Sequence, residues 1–393
     1  MAIDDVAFDL IVVGGGLVGA SLARAARGLS VALLAGDPPA AVNDARARAF
    51  DSRIYAITPG NAEFLDGLKA WAAIPESRRT PVYVMRVHGD DGRAVLEFDA
   101  LRAGVPELAW IVENGVLQSA LWNALQTQEN LRLLTGLTCR ALDVGPQHAE
   151  LRLSDGRVLQ AQLVAGADGA QSFVRASAGL AVQERSYGQT AVSANFACTR
   201  PHRNVAHQWF QGGPVLALLP LPGDHVSMVW SVPDMQAERL CQLDAQSLCR
   251  EVALASAGVL GEFSLVTPPR SFPLRDLRVR RKIAPRVALI GDAAHVIHPL
   301  AGQGANLGLQ DARVLAAVLG NREPGRDAGD LRMLRRYERA RAEPVLAMRT
   351  AVNGLFSLFG AQLDVAARVR NAGLNFTDRL PILKNLFARY AAS

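Results

Sequence analysis

The 393-residue sequence is poor in several features that mark whole classes of protein. Its four cysteines, Cys139, Cys198, Cys241 and Cys249, form no Cys-x-x-Cys pair, which favours reduced, buried thiols over a disulfide framework. No segment repeats with a period of about 20–50 residues, so a solenoid is excluded. Aromatic residues make up only 6% and do not alternate with the dispersed arginines, so we expect no nucleic-acid binding despite the net charge of +5.

Long apolar runs are also absent. No run approaches the roughly 18 residues that cross a bilayer, and the first residues, MAIDDVAFD, carry acids where a secretion signal needs Lys or Arg. We therefore expect a cytoplasmic protein, attached at most peripherally to the inner membrane. Near the C-terminus, Leu380, Leu383 and Phe387 recur at helical spacing beside Arg379 and Lys384, a pattern typical of an interfacial helix or of one docked on the core.

The stretch FDLIVVGGGLVGA near the N-terminus is the first strong structural signal. Leu10–Val13 is a continuous apolar run, typical of a strand buried on both faces of a parallel sheet. The small residues that follow predict a helix that stops at Gly28, and residues 31–35 predict a second buried strand. Together these elements predict one βαβ unit.

Three glycines stand at the first turn of this unit in GxGxxG spacing. Gly14 makes the tight turn, Gly16 lets a pyrophosphate approach the backbone, and Gly19 lets the helix pack closely on the strand. The N-terminus of the helix then offers N–H groups and a positive dipole to the phosphates. A lone GxGxxG is weak evidence, but the full strand, turn, helix and strand order predicts a dinucleotide site.

One expected residue is missing from this unit. An acid that binds the adenosine ribose usually ends the second strand, but here the position holds Ala35, and the nearest acid is Asp37. Either Asp37 reaches the ribose from a shifted loop, or it is a solvated turn residue before two prolines. The sequence leaves these alternatives open.

Two later strands also end in polar residues. VAGADGAQSFVR predicts a buried strand with Asp168 and Gly169 at its carboxyl end and Arg175 shortly after, and RVALIGD predicts another that ends at Asp292. Each aspartate taken alone is equally consistent with a helix cap. Because ligands in open α/β sheets bind beyond the carboxyl ends of the strands, we expect all three strand ends to face one crevice.

These three motifs resemble the fingerprints of the single-component FAD-dependent aromatic hydroxylases. The phrases GDAAHVIHPLAGQGANLGLQDA, VENGVLQSALWNAL, GPVLALLPLP and RNAGLNFTDRLPILKNL resemble, within that group, the ubiquinone-biosynthesis hydroxylases. The resemblance implies an α/β fold in which a Rossmann-like FAD-binding domain of the GR2 type carries an inserted β-sheet substrate domain. We predict the FAD domain at 1–75, 105–180 and 273–345, the substrate domain at 76–104 and 181–272, and C-terminal helices at 346–393.

The resemblance also implies roles for single residues. Arg53 matches the arginine that lies along the FAD pyrophosphate, and Gln118 matches a glutamine that binds the ribityl side of the flavin. Asp168 matches a residue that serves both FAD and the reduced nicotinamide, and Asp292 matches the ligand of the ribityl hydroxyls. Taken singly, Arg53 and Gln118 also fit ordinary surface positions.

The GD segment contains two histidines that suggest a metal pair. No third ligand lies nearby, and Pro299 makes a helical conformation unfavourable for His298, so we predict no metal site. We expect His295 to pack locally and bond backbone. His298 and Pro299 lie beside the expected flavin face and are the only catalytic candidates, the histidine as a group that touches substrate or moves a proton.

The glycines after the histidines have a clearer purpose. Gly302 and Gly304 let the backbone approach a planar ring without a Cβ in the way. The helix that begins near residue 305 directs its N-terminus at that ring and would stabilise negative charge on a reduced flavin. Gln303, Gly304 and Asn306 are the predicted flavin contacts, with Pro299 covering the edge.

The implied enzyme is an FAD-dependent NAD(P)H monooxygenase. It would hydroxylate the aromatic ring of a polyprenylated phenol or quinone precursor in ubiquinone biosynthesis, with O₂ and a flavin C4a-hydroperoxide. Other ubiquinone-biosynthesis proteins are its expected partners. Two alternatives stay open: a hydroxylase of a soluble aromatic compound, and a non-catalytic subunit that keeps the FAD fold, which the alanine at position 35 favours. The halogenase signature WxWxIP is absent.

Overall fold

The computed structural model describes residues 7–39, 50–89, 95–298 and 302–360, with side chains up to residue 354. Pro299 and the apolar stripe near the C-terminus lie outside these residues. Within the described ranges, no helix combines the length and the apolar character that crossing a bilayer requires.

A sheet with a parallel centre forms the first layer of the fold. Its five parallel strands are, in spatial order, β8 (Leu131–Thr135), β2 (Val31–Ala35), β1 (Ala7–Val13), β11 (Val158–Gly166) and β19 (Val287–Leu289). Antiparallel additions are β9 (Cys139–Val144), β10 (Ala149–Leu153) and β18 (Ile283–Ala284). The predicted apolar runs form β1 and β2, and β2 is buried throughout because both of its faces are covered.

Helices cover this sheet and bring distant parts of the chain together. They are α1 (Leu17–Ala25), α4 (Asn114–Gln126), α5 (Phe173–Ser177) and α8 (Gln303–Gly320), and α1 packs against both α4 and α8. The prediction that the first helix stops at Gly28 was wrong. The helix ends at Ala25, where the N–H of Ala26 makes the last helical bond, to Leu22, and a turn follows.

A second, largely antiparallel sheet forms the other layer. Its strands are, in order, β20 (His295–Val296), β17 (Arg270–Val279), β12 (Val182–Cys198), β15 (His225–Pro233), β14 (Val215–Leu221), β13 (Val205–Phe210), β5 (Val84–His88) and β6 (Val95–Asp99), with β16 (Phe263–Leu265) beside β12. On its outer face lie α6 (Asp234–Gln242) and α7 (Ala245–Ala255), which cover a core containing Trp209 and Trp230.

A small sheet joins the two layers. It contains β3 (Ile54–Ile57), β7 (Ala109–Glu113) and β4 (Arg79–Val82), and the helices α2 (Pro59–Gly67) and α3 (Ala100–Ala103) flank it. Because β4 pairs with β7, the first residues of the predicted 76–104 segment belong to this sheet and not to the second sheet.

The last described helix, α9 (Leu331–Gly360), runs through the predicted domain boundary at residue 345. Its apolar stripe continues across that point. Tyr337 packs in the core of the first sheet, and Val345 and Met348 pack in a cluster with Phe210 of the second sheet. The helix therefore has no break at which the C-terminal segment starts. The other domain limits stay a proposal.

Candidate functional site

The Gly-rich turn packs directly against the second predicted motif. Gly14 has a φ of +111°, and a Cβ there would lie 2.3 Å from the carbonyl oxygen of Ala167, next to Asp168. A Cβ at Gly19 would lie 1.9 Å from the carbonyl oxygen of Gly14. Both positions therefore exclude any side chain, because backbone occupies the space it would need. The protein's own packing thus explains two of the three glycines.

Gly16 differs from the other two glycines of the turn. Among the described residues, no atom lies within 4 Å of a Cβ built at this position, and its φ of −70° suits any residue. Gly16 is exposed and precedes α1, whose first turn has no side-chain cap. The free space and the uncapped N–H groups fit the predicted pyrophosphate, since an anion would satisfy those donors.

Glycines also bring the GD segment to the same place. A Cβ at Gly291, whose φ is +59°, would lie 3.3 Å from Val18 of α1, and one at Gly308 of α8 would lie 2.5 Å from Val18. Val18 lies within the GxGxxG stretch. The three predicted strand ends therefore meet within one small volume, as the sequence motifs predict.

Asp168 uses one carboxylate oxygen to support a helix start and leaves the other without a partner in the described part of the chain. Its Oδ2 accepts a hydrogen bond from the N–H of Val174 at 3.0 Å, so one oxygen supports the start of α5. Its Oδ1 is buried and has no partner among the residues described, which leaves it to a ligand or a water. Gly169 follows with a φ of +82° and turns the chain.

Arg175 links the DG loop to the GD loop. It is buried, and its guanidinium donates to the carbonyl of Ala170 at 2.6 Å and to that of Ala293 at 3.0 Å. These bonds fix the distance between the two aspartate-bearing turns. The sequence showed Arg175 only as a nearby basic residue.

Asp292 and Arg53 lie close enough to interact electrostatically. Asp292 is exposed, yet the protein around it partly desolvates the carboxylate and raises its pKa, against the opposing effects of His295 and Arg53. Arg53 is also exposed, with its guanidinium 5.5 Å from the ring centre of Tyr55. Neither side chain is buried in the core, so both could contact a ligand, and their predicted FAD contacts stay a prediction.

A network that the sequence did not reveal holds the loop of Arg53. Asp51 accepts hydrogen bonds from the N–H groups of Arg53, at 2.9 Å, and Gly115, at 3.0 Å. The buried Glu113 accepts from the N–H of Asp51 at 2.6 Å and from Nε of Arg78 at 2.8 Å. Burial raises the pKa of Glu113, and the bonds from Asp51 and Arg78 oppose that rise.

Gln118 lies on α4, one helical turn before Trp122. Indole Nε1 of Trp122 donates to the carbonyl of Gly15 at 3.2 Å, so this face of α4 is turned toward the Gly-rich loop. Residues four apart share a helix face, and Gln118 is half-buried on it. The position is consistent with the predicted ribityl contact, which stays a prediction.

Ala35, which stands where an acid usually ends the second strand, packs against the Gly-rich turn. Ala35 ends β2, and a Cβ on Gly15 would lie 2.3 Å from the Cβ of Ala35, so the Gly-rich turn packs tightly on this alanine. Asp37 is exposed two residues beyond the strand. Its predicted contact with the ribose remains a proposal.

The expectation that His295 bonds backbone was wrong. Its Nε2 lies 2.6 Å from Oδ2 of Asp311, a carboxylate with no exposed surface. Asp311 also accepts from the N–H of Gly291 at 3.0 Å and from Nε of Arg341, on α9, at 2.6 Å. Burial alone would raise the pKa of Asp311, but His295 and Arg341 hold it well below its usual range.

His298 is also fully buried. Its Nε2 lies 3.4 Å from Oε1 of Gln189, and its ring meets Tyr187 edge to face at 4.9 Å between centroids. Burial lowers the pKa of His298 to about 4, so the ring is neutral near pH 7. The two histidines bond different partners, and the described contacts of His298 tie this segment to Tyr187 and Gln189 of β12. A contact of His298 with substrate stays a prediction.

The start of α8 mirrors the start of α1. Gly302 precedes the helix with a φ of +64°; within the described part of the chain, the first turn has no side-chain cap and a Cβ at Gly304 would meet no atom within 4 Å. A Cβ at Gly302 would lie 3.3 Å from Ala56. Gln303 is buried beside these glycines. The arrangement fits a planar group lying against backbone, with the helix dipole directed at it.

Asn306 has protein partners on both ends of its amide. Its Oδ1 accepts from the N–H of Thr58 at 3.0 Å and from Nδ2 of Asn61 at 2.9 Å, and its Nδ2 donates to the carbonyl of Ala56 at 2.7 Å. The side chain therefore ties the start of α8 to the region of β3 and α2. A flavin contact at Asn306 would have to use its backbone.

Comparisons with known proteins agree with this geometry. The FAD binding domain family matches residues 7–350. The chain is 34% identical to "Ubiquinone hydroxylase UbiL" of Rhodospirillum rubrum, covering 98% of this chain and 89% of that one. It is also 34% identical to the 3-demethoxyubiquinol 3-hydroxylase of Escherichia coli, covering 98% of each chain. The crystal structure of Pseudomonas aeruginosa PqsL with 2-aminobenzoylacetate superposes with a TM-score of 0.77 at 23% identity, covering 94% of this chain and 99% of that one.

Proposed function

Because the chain belongs to the FAD-binding domain family and, within it, to the FAD-dependent ubiquinone-biosynthesis hydroxylases, we propose that it hydroxylates the aromatic ring of a polyprenylated ubiquinone precursor. It is an FAD-dependent monooxygenase, with NAD(P)H as the co-substrate typical of the family. The substrate is proposed from two relatives, which are named as a ubiquinone hydroxylase and a 3-demethoxyubiquinol 3-hydroxylase.

The observation that carries the cofactor assignment is the pair of uncapped helix starts. Gly16 before α1 and Gly304 in the first turn of α8 each face space that no atom of the described residues occupies. An elongated dinucleotide would place its pyrophosphate at the first and its flavin at the second. In this proposal Arg53 and Asp37 add contacts on the nucleotide side, and Gln118 lies along the middle of the cofactor.

When bound, FAD supplies the redox chemistry: it accepts hydride from NAD(P)H and activates O₂ for transfer of one oxygen atom to the ring. The protein positions this chemistry. We propose that Asp292 binds the ribityl hydroxyls, that Asp168 fixes the turn beside them, and that Gly302–Gly304 and the α8 N-terminus stabilise negative charge at the flavin. Asn306 holds that helix start, through its bonds to Ala56 and the start of α2.

Exclusion of water is the second task of the protein. The central strands of the second sheet pack over residues 50–57 and 297, with apolar clusters on both sides of the proposed site. Neutral His298 belongs to this closed wall, and we assign it no proton transfer. An apolar roof also suits a prenylated ring better than a small soluble acid.

Two measurements test the proposal. Purified protein is expected to be yellow, with a flavin spectrum that NAD(P)H bleaches; a colourless protein that takes up no FAD would support the non-catalytic subunit instead. In cells that lack this protein, mass spectrometry of quinone intermediates should reveal one accumulated prenylated ring lacking a hydroxyl. A normal quinone profile beside an NAD(P)H-bleached flavin would favour a soluble aromatic substrate.

We further propose peripheral membrane contact through the basic, apolar C-terminal sequence, which lies outside the described residues. Its support is the sequence pattern alone. Deletion of residues 374–393 should release the protein from anionic liposomes in a flotation assay. Unchanged binding of the truncated protein would show that this segment serves another purpose.

A further inference from the structure

Gln208 is a buried polar side chain without a bonding partner among the residues described. It lies in β13 and is only 6% exposed. Buried amides are nearly always hydrogen-bonded, because an unmet donor or acceptor loses its bonds to water without replacement. The amide atoms of Gln208 are not among the fully buried atoms that lack a partner, so the amide reaches open space, where it can bond to water or to a molecule that the protein binds.

The register of β13 shows which way Gln208 points. His207 and Trp209 lie on the outer face, stacked on each other at 5.3 Å between ring centroids, and Trp209 packs with α6 and α7. Because side chains alternate along a strand, Gln208 shares the inner face with Ala206 and Phe210. That face is turned toward the FAD-binding layer.

The neighbours of these two residues locate Gln208 over the proposed flavin site. Ala206 belongs to an apolar cluster that includes Ala56, the residue that lies beside Gly302. Phe210 belongs to a second cluster with Ile297 and with Leu307 of α8. Gln208 lies between the two clusters on the same strand.

Open space remains in front of this part of the sheet. Ala217, opposite Gln208 on β14, is only half-buried, as are Leu219 and Val229 on the same inner face. These residues are in the middle of the sheet, where a fully packed face would bury them. Their partial exposure shows that solvent reaches this apolar part of the inner face, which leaves room for a ligand beside Gln208.

We propose that the amide of Gln208 recognises an oxygen substituent on the aromatic ring of the substrate. This inference rests on the proposed function, and it names the group that orients the ring. Oε1 accepts a hydrogen bond from a ring hydroxyl, and Nε2 donates to a ring oxygen; no proton is transferred. In apolar surroundings, one such neutral hydrogen-bonded pair strongly favours a substrate that carries the ring oxygen over one that lacks it. A substrate without the oxygen would leave the amide unpaired.

Binding of three soluble probes to the FAD-loaded enzyme tests this assignment. The probes are a geranylated phenol, its methyl ether and the geranylated benzene that lacks the oxygen, each titrated while the flavin absorbance spectrum is followed. Wild-type enzyme should bind the phenol about 10-fold or more tightly than the benzene, with the ether between them. Gln208→Met, of similar volume, should bring all three affinities within about threefold of the benzene value.

Gln211→Met is the matched control. Gln211 follows β13, and its Nε2 donates to the carbonyl of Ala255 at the end of α7, on the outer side of the sheet. This variant should keep the wild-type preference for the phenol. If Gln208→Met fails to retain FAD, Gln208→Leu serves in the same titration.

The outcomes separate this inference from the proposed function. A Gln208→Met enzyme that keeps the phenol preference, or a wild type that binds all three probes alike, overturns the assignment of Gln208, even when NAD(P)H bleaches the flavin and quinone profiles change. A protein without flavin, or one with a normal quinone profile, overturns the proposed function independently of the probes.

Discussion

The two ends of the proposed cofactor site are built on different principles. At the nucleotide end, Gly14 and Gly19 let backbone touch backbone, with no room for a side chain. At the flavin end, the Gly291–Asp292 turn rests on the buried carboxylate of Asp311. That carboxylate is shared with His295 and Arg341. One end is positioned by close packing and the other by buried charge.

The two ends should therefore respond differently to substitutions and to changes of pH. Close packing depends on local backbone geometry and is insensitive to pH. A buried charged network depends on every partner being present, since removing one leaves another charge buried and uncompensated. The flavin end should therefore be the more sensitive of the two to charge-changing substitutions and to acid.

The largest effect is expected from Arg341→Met, which removes the cation from the buried network. Asp311 has no exposed surface and would keep only its bonds to His295 and the N–H of Gly291. We expect the free energy of unfolding to fall by about 3–5 kcal/mol, measured by urea denaturation of the apoprotein.

The control for that variant is Arg239→Met, which breaks an exposed pair with Glu251 at 2.9 Å. An exposed pair contributes at most about 1 kcal/mol, so this variant should unfold nearly as the wild type does. Equal losses of unfolding free energy in the two variants would show that the buried network stabilises the fold no more than an exposed ion pair does.

Gly14→Ala should have the next largest effect on stability, of about 3 kcal/mol, from backbone strain and from a Cβ 2.3 Å from a carbonyl oxygen. Gly16→Ala is the matched comparison, because its Cβ would meet no protein atom. We expect it to leave apoprotein stability unchanged and to lower FAD affinity at least 10-fold. Urea denaturation measures the stability of each variant, and FAD titration measures its affinity for the cofactor. Normal FAD binding by Gly16→Ala would show that the pyrophosphate does not bind at Gly16.

Acid should weaken the flavin end through His298. Its folded pKa is about 4, below the ordinary 6.5, so the unfolded chain binds a proton between these values that the folded protein does not. The contribution of the neutral His298 ring to the free energy of unfolding is complete above pH 6.5. It falls by roughly 3 kcal/mol as the pH drops toward 4. Urea midpoints across this range should depend less on pH in His298→Gln; an unchanged slope would contradict the burial of a neutral ring.

The smallest effect is expected at the ribose. Asp37→Asn should weaken FAD binding about 2- to 10-fold, the range of one hydrogen bond, without changing stability. Asp155→Asn, at another exposed aspartate, is the control. Equal FAD affinities in the two variants would mean that Asp37 is an ordinary turn residue and that the nucleotide end binds through its backbone and Arg53.

The nucleotide end was the more predictable of the two from sequence. Short apolar runs and glycine spacing are local signals, and β2 occupies residues 31–35 as predicted. The end of α1 was misjudged because a turn stops that helix three residues before Gly28. Local signals can identify an element while leaving its last residues undetermined.

The residues of the flavin end could be identified from the sequence, but the contacts between them could not be predicted from it. The positions of Asp292 and of the glycines before α8 are local, whereas the pairing of His295 with Asp311 and Arg341 joins three separate elements. No periodicity encodes such a contact. Gln208 was missed for a related reason: an amide in an apolar strand becomes informative only when its inner face and its unmet bonds are known.

The position of Arg341 has a consequence for how the chain is made. The carboxylate at 311 and the turn at 291–292 leave the ribosome before the arginine that neutralises them, and α9 must dock before the charges are paired. The Gly-rich turn and the strand at 158–166 that supports it are synthesised much earlier. The residues that shape the nucleotide end therefore leave the ribosome well before the cation that the flavin end requires.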